Sequence, residues 1–448
     1  MHDKLLTDAA ARGARYLEGL DAQPVFPRPE AIERLRGALQ APLPAGPCAP
    51  QEVLKFIDEH GSPATVASAG GRYFGFVTGG ALPAAVAAHQ LATSWDQNAV
   101  TFNCSPAGTL FEQAALRWLC QALVLPESAD GTLTTGATMA SFACLAAARH
   151  EVLQQAGWDV ERHGLNGAPP IQLVASEEVH GTVLKALGML GLGRETLLRV
   201  PVDAQGRMIA AALPELHAPA IVIVQAGNVN SGSFDPAAEI IPRAHAAGAW
   251  VHVDGAFGLW ARSSPKRAAL AAGFEGAGSW ATDAHKWLNV PYDCGIALVR
   301  REGLLRAALS ASGSYLMLGE HRDGIDVSPD SSRRARGVDV WAALRQLGRA
   351  GIAALVDQNC DQAAWLAAGL HKAGVEVMNE VVLNQVVVAF GSDERAKTAI
   401  ASIQKAGEIW CGGTRWHGRE AMRVSISSWA TTQGDMEIAL RAIVAAAR

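Results

Sequence analysis

The chain has 448 residues, 49% of them hydrophobic and 18% charged, with a formal net charge of −5 and a pI of about 6.2. That length supports a large core and two or three domains. The mildly acidic balance and scattered basic residues exclude a chain built to grip nucleic acid or an anionic membrane.

The N-terminal stretch places Leu5, Leu6, Ala9, Ala10, Tyr16 and Leu17 near helical spacing and predicts an amphipathic helix to about Leu20. Pro24, Pro27 and Pro29, then Pro42, Pro44, Pro47 and Pro50, predict extended connectors around a short helix. Residues 1–70 therefore read as an arm too thin to fold alone, packed on another subunit or on the main domain. From about Phe111 to Arg300, short apolar runs alternate with helical stretches. Ile171–Val174, Ile221–Val224, Trp250–Val253 and Gly295–Val299 read as buried strands, with helices over Thr138–Gln154, Val183–Leu190 and Ala237–Ala247. Alternation of this kind predicts a mostly parallel sheet covered on both faces. After about Gly337 the pattern changes to a long helix, Val338 to about Ala373. Strands at Val375–Met378, Val381–Phe390 and Met422–Ser428 and a last helix from Gly434 follow. The expected division is an arm (1–70), a large α/β domain (71–336) and a small α+β domain (337–448).

Seven cysteines at irregular spacing, with no CxxC, predict free thiols in a reducing cytoplasm and no zinc site. No apolar h-region or run of about 18 apolar residues predicts a signal peptide or a membrane helix.

The chemistry concentrates at two strand ends. One apolar run closes in Val253-Asp254-Gly255-Ala256. Another segment reads Ser279-Trp280-Ala281-Thr282-Asp283-Ala284-His285-Lys286-Trp287. Ligands of such sheets sit at the carboxyl ends of the strands, and Asp254 and Lys286 both fall there. A lysine amine forms an imine with an aldehyde. A carboxylate holds a pyridinium nitrogen protonated. Together they describe a site for pyridoxal 5'-phosphate (PLP). Upstream, Gly136-Ala137-Thr138 joins an extended stretch to a helix, where backbone N–H groups and the helix dipole favour phosphate.

The pattern resembles the group II PLP-dependent amino-acid decarboxylases, whose aromatic-L-amino-acid members are the best-known example. The likeness runs from about Arg72 to Ser428. It rests on Ser279-Trp280 separated by five residues from Lys286-Trp287, and on Ser105-Pro106-Ala107, Gly136-Ala137-Thr138, His180, Ser233-Phe234-Asp235, Asp254 and Asp293-Cys294 in family order. The resemblance implies fold type I: a large domain with a mostly parallel sheet, a small C-terminal α+β domain, and active sites at a homodimer face. It implies that Lys286 carries the cofactor as an imine, with Asp254 at the ring nitrogen, Ala256 against the ring and His180 stacked on its outer face. Gly136, Ala137, Thr138 and His285 fall near the phosphate and Asn228 near the ring's phenolic oxygen. Tyr73, Phe74, Phe76 and Thr78 match an aromatic substrate-pocket segment, with Asn98 and Asn103 as further pocket residues. Arg423 matches the carboxylate-clamping arginine of many proteins of this fold.

Two features depart from the family. Asparagine is common where Asp283 stands; an acid there would repel phosphate, so Asp283 is left out of the phosphate set. The family's mobile loop carries a proton-donating tyrosine. Here the matching region, 312–337, is short, and its only tyrosine is Tyr315. The proton donor is Tyr315, His180 or another group. The leading expectation is decarboxylation of an L-amino acid, with an aromatic or apolar side chain suggested by Tyr73, Phe74 and Phe76. Carbon–carbon cleavage of a β-hydroxy amino acid, or oxidative deamination to an aldehyde, stays open beside it. A non-catalytic scaffold of the same fold is the remaining alternative.

Overall fold

The computed structural model describes residues 2–310 and 321–448. Tyr315 lies outside them. The described helices are α1 (His2–Glu18), α2 (Pro29–Ala38), α3 (Pro50–Phe56), α4 (Pro83–Trp95), α5 (Pro106–Ala122), α6 (Ala137–Gln155), α7 (Val160–His163), α8 (Gly181–Met189), α9 (Ala237–Ala246), α10 (Leu304–Leu309), α11 (Arg336–Lys372), α12 (Asp393–Ala406) and α13 (Gln433–Ala447). The strands are β1 (Asp130–Thr134), β2 (Gln172–Ser176), β3 (Leu197–Val200), β4 (Ala220–Gln225), β5 (Trp250–Asp254), β6 (Ser279–Asp283), β7 (Gly295–Val299), β8 (Glu376–Val377), β9 (Gln385–Ala389), β10 (Gly412–Trp416) and β11 (Arg419–Ser425).

The chain divides into two units. One comprises 81–361 and 379–385 and holds a seven-stranded sheet in the order β1-β7-β6-β5-β4-β2-β3. Strands β6, β5, β4, β2 and β3 pair in parallel, while β7 runs antiparallel to both β1 and β6. Parallel strands covered on both faces must be apolar on both. Accordingly β4, Ala-Ile-Val-Ile-Val-Gln, is buried at every residue. Helix α6 lies on this sheet through small residues: Ala140, Ala143, Cys144 and Ala147 join Ala281, Ala297 and Val299 in one cluster. The Cys144 thiol donates toward the Trp280 and Leu298 carbonyls, both at 3.5 Å. Burial pushes that thiol up to about 12, so Cys144 acts as a packing residue rather than a nucleophile.

Strand β1 is a sheet edge, and the chain after residue 320 laces along it. Arg322 pairs with Asp130 at 2.9 Å and donates to the Gly131 carbonyl. Arg333 donates to both Glu112 oxygens, at 2.9 and 2.7 Å, and to the Leu133 carbonyl at 2.8 Å. Covering an edge in this way blocks pairing with another chain.

The second unit comprises 1–80, 362–378 and 386–448, with a four-stranded sheet in the order β10-β11-β9-β8. This division departs from boundaries at 70 and 336. The Phe74 N–H donates to the Trp410 carbonyl and the Ser425 N–H to the Phe74 carbonyl, so residues 72–74 run along the C-terminal sheet. The first part of α11 stays with the large unit because Trp341 packs on Phe111 and Trp118. The long helix is also kinked, with Gly348 at φ 59°.

One core histidine has a testable consequence. His252 on β5 is fully buried, with Nδ1 3.0 Å from the Ser279 hydroxyl. Burial holds its pKa down at about 3, against an ordinary 6.5. The folded protein therefore binds fewer protons than the unfolded chain between those values. The resulting stability is complete above the unfolded value and is lost as pH falls from about 6.5 toward 3. Between pH 7 and pH 5 this one group should remove about 2 kcal/mol. Urea denaturation at both pH values should show that loss in the wild type and a correspondingly smaller one in His252→Gln. Equal losses would show that His252 is not held neutral.

Candidate active site

The carboxyl ends of the parallel strands form one edge, and four neighbouring strands deliver the expected residues to it in spatial order. Asp283 ends β6 with Lys286 three residues on, and Asp254 ends β5. Asn228 follows β4, and His180 follows β2 at the start of α8. Neighbouring strands lie about 4.8 Å apart, so the four positions make a short row.

Lys286 retains 20% of its side-chain exposure, and its Nζ lies 3.0 Å from Asp283 Oδ2. Buried indoles fix the frame around it. Trp287 Nε1 donates to Asn359 Oδ1 at 2.9 Å, Trp280 Nε1 to the Phe274 carbonyl at 2.8 Å, and Trp260 Nε1 to the Asp283 carbonyl at 3.3 Å. Each indole buries a large apolar area while its one donor is satisfied.

Asp254 is 6% exposed and accepts the Ala256 N–H at 3.3 Å on Oδ1. The Ala256 carbonyl accepts the Asp283 N–H at 3.0 Å, which ties the two strand ends together. Ala256 itself is half-buried. His285 stacks on Tyr292 with ring centroids 4.4 Å apart. The Cys294 N–H donates to His285 Nδ1 at 3.1 Å, so the proton of the neutral ring sits on Nε2. Burial lowers the His285 pKa, against the opposing pull of Asp283.

Gly136, Ala137 and Thr138 open α6 as the sequence predicts, with no side-chain cap from Gly136. The Ala137 N–H donates to Asp283 Oδ1 at 2.6 Å. The acid set aside on sequence grounds thus lies at the helix terminus. A Cβ on Gly136 would come within 3.3 Å of His285 Cε1. A Cβ on Gly295 would lie 2.3 Å from the Gly136 backbone, so β7 must begin with glycine.

His180 is exposed and caps α8. Its Nδ1 accepts the Thr182 N–H at 3.3 Å and lies 2.7 Å from the Thr182 hydroxyl, which leaves the proton on Nε2. Asn228 is buried, and its side chain serves its own loop. Oδ1 accepts the Asn230 and Ser231 N–H groups at 2.8 and 3.2 Å, and Nδ2 donates to Glu178 at 2.7 Å. Beside it, Asp235 is fully buried and accepts the Met208 and Gln225 N–H groups, both at 2.7 Å; burial raises its pKa to about 6.

The substrate-segment residues lie in the other unit. Tyr73 stacks on Trp410 at 5.0 Å and Phe76 on the same indole at 5.5 Å. Phe74 is 1% exposed, so it is core; Phe76 is 64% exposed, at φ 53°. Thr78 is buried, and Arg423 sits on β11 opposite Gly412. Trp410 was missed from sequence because no local pattern marks its link to residues 73–76. Asn98 anchors the Arg333 N–H at 3.0 Å, and Asn103 is exposed.

The residues present fit PLP: a lysine amine, a buried carboxylate at the end of the neighbouring strand, and a helix N-terminus with a side-chain-free glycine before it. Residues 67–391 match the family model described as the pyridoxal-dependent decarboxylase conserved domain. The chain is 31% identical over 287 residues to an L-2,4-diaminobutyrate decarboxylase of Rhizobium meliloti, covering 61% of this chain and 55% of that protein. The match therefore spans about half the length of that relative. It is 27% identical over 400 residues to an aromatic-L-amino-acid decarboxylase of Bacillus atrophaeus, covering 86% and 80%. The crystal structure of Oryza sativa TDC with PLP and tryptamine superposes with a TM-score of 0.90 at 23% identity, covering 99% of this chain and 97% of that one, and so shares the fold.

The Asn228 geometry predicts a structural cost. Asn228→Ala leaves two loop N–H groups without their acceptor and should lower stability by about 1–3 kcal/mol. Urea denaturation measures it; an unchanged midpoint would mean that the loop does not depend on this amide.

Proposed function

The chain belongs to the pyridoxal-dependent decarboxylase family, and from that membership we propose that it removes the α-carboxylate of an L-amino acid as CO2, leaving the amine. Its cofactor is pyridoxal 5'-phosphate. When bound, this group supplies an electron sink for the pair left behind as the bond to the carboxylate breaks. The observation that carries the reading is the row Lys286, Asp254 and His180 along one sheet edge, in a chain matched by the family model over 67–391.

The chain's own residues take distinct parts. Lys286 offers the nucleophilic amine, partly open to solvent and steadied by Asp283. Asp254, oriented by the Ala256 N–H, keeps a proton on the ring nitrogen. Such a preplaced charge acts where charge develops and needs no reorganisation during the reaction. Gly136, Ala137 and Thr138 hold the phosphate end at the α6 terminus, with His285 beside them. Ala256 leaves room for the ring. His180 presents the N–H of Nε2, fixed by Thr182 on its other nitrogen, and is the group we assign to deliver a proton to the substrate carbon. Asn228 supports the loop that flanks this edge.

An aromatic or apolar side chain is the substrate class we favour, on the strength of exposed Phe76 backed by Trp410. Thr78 and Arg423 belong to the same pocket assignment. We also propose a homodimer. Helices α2 and α3 bury none of their residues, and the arm exposes Leu6, Leu17, Phe26, Leu39 and Leu43. An apolar arm of this kind calls for a covering surface. Among the described residues no helix is long and apolar enough to cross a membrane. A cytoplasmic location is our reading of seven irregularly spaced cysteines.

Two measurements test the assignment. Borohydride reduction of the PLP-loaded protein should fix the cofactor on Lys286, and Lys286→Ala should lose both the adduct and turnover. A reduced cofactor found on another lysine would overturn the role given to Lys286. A panel of L-amino acids scored for CO2, amine, aldehyde and ammonia should give CO2 and amine in equal amounts. Aldehyde and ammonia in place of amine would replace decarboxylation with the oxidative route, and products without CO2 with the lyase route.

A further inference from the structure

Asp283 has a further part to play, one that rests on the cofactor reading above. Its side chain is 3% exposed, yet its carboxylate touches three parts of the site. Oδ1 accepts the first N–H of α6, from Ala137, at 2.6 Å. Oδ2 pairs with Lys286 Nζ at 3.0 Å. His285 Nε2, which bears the ring proton, lies 3.6 Å from Oδ1. A helix N-terminus attracts one anion through its free N–H groups and its dipole. Helix α6 has 19 residues and no cap of its own from Gly136. Asp283, contributed by β6, supplies that anion.

The seat assigned to the cofactor phosphate therefore already holds a negative charge, and the amine assigned to the cofactor aldehyde already has a counter-ion. We propose that Asp283 is the resident anion of the phosphate seat. With the site empty, its carboxylate caps α6 and pairs with Lys286 Nζ. An arriving phosphate competes for the Ala137 N–H and meets a like charge. Asp283 is thus a positioning residue for cofactor loading, acting through Lys286 and α6, and it weakens retention of a phosphorylated cofactor relative to a neutral one.

Two consequences separate cleanly. Removing the charge frees the Lys286 amine for imine formation with any pyridoxal compound. It relieves repulsion only for a compound that carries phosphate. The informative quantity is the ratio of the dissociation constant of pyridoxal to that of PLP, measured on cofactor-stripped protein by the absorbance of the bound chromophore. A simple loss of structure would weaken both compounds together.

In Asp283→Asn, PLP should bind more tightly and the ratio should rise about tenfold, the size expected from removing one like charge near a partly screened phosphate. Asp283→Ser, which keeps a small acceptor for the Ala137 N–H, should move the ratio the same way and guards against misfolding of the first variant. Asp283→Glu, which keeps the charge, should leave the ratio within about threefold of the wild type. An unchanged or lower ratio in both neutral variants, with PLP still bound by the wild type, would overturn this inference alone. Wild-type protein that takes up neither compound would overturn the cofactor reading and this inference with it.

Discussion

The site depends on one register. Strand β7 runs antiparallel between β1 and β6, and its first residue, Gly295, pairs with Thr134 on one side and Asp283 on the other. That double pairing sets the end of β1 level with the end of β6. The turn into α6 and the turn carrying Lys286 consequently start side by side. Gly295 has no side chain to hold them apart, and the Gly136 backbone occupies the space a Cβ would need. A residue of any other kind at 295 would push the α6 terminus away from Asp283 and lengthen the 2.6 Å contact to the Ala137 N–H. The three residues after Asp283 then place His285 and Lys286, with His285 held by the Cys294 N–H and the buried indoles of Trp280 and Trp287 framing the turn.

Much of this was legible in the sequence because it is local. The strand ending at Asp254, the lysine following Trp280 and the glycine before α6 each announce themselves within a few residues. The apolar runs of β2, β4, β5 and β7 and the helices between them carry the periodicities that burial on two faces demands. What the sequence did not disclose is what long-range pairing decides. Strand β3 is only four residues long and buries just its first and last, and β10 is Gly-Gly-Thr-Arg-Trp, with little apolar pattern to read. The kink at Gly348 is hidden inside a continuous helical pattern. The aromatic segment 73–76 read as one unit, but its pairing with Trp410 splits it. Phe74 is drawn into the core and Phe76 is left outside.

Asp283 is the informative case. Sequence reasoning removed it from the phosphate set because like charges repel, and that physics is sound. The structure puts it beside the α6 terminus because a buried carboxylate needs donors, and the Ala137 N–H and Lys286 Nζ provide them. Both statements hold at once if the carboxylate serves the empty site and opposes the filled one. Asn228 is a different case. The resemblance placed it near the ring's phenolic oxygen, and in the structure its own oxygen accepts the backbone N–H groups of a tight loop.

Three histidines near this edge show how surroundings divide one residue type into different tasks. His252 is fully buried between strands and held neutral, so it cannot move a proton in the working range of most enzymes. His285 is neutral because burial outweighs Asp283, and its Nδ1 is held by the Cys294 N–H, so its ring serves as a wall stacked on Tyr292. His180 alone of the three is exposed, and its backbone contact, through Thr182, fixes one nitrogen and leaves the N–H on the other. The family's loop tyrosine has its counterpart here only in Tyr315. A chain with four tyrosines in all carries the exposed imidazole of this row, the one proposed above as proton donor, on a helix cap. A cap is a rigid mount, since the hydrogen bond that ends the helix also fixes the ring. The donor would then stay in position throughout turnover rather than arrive with a moving loop.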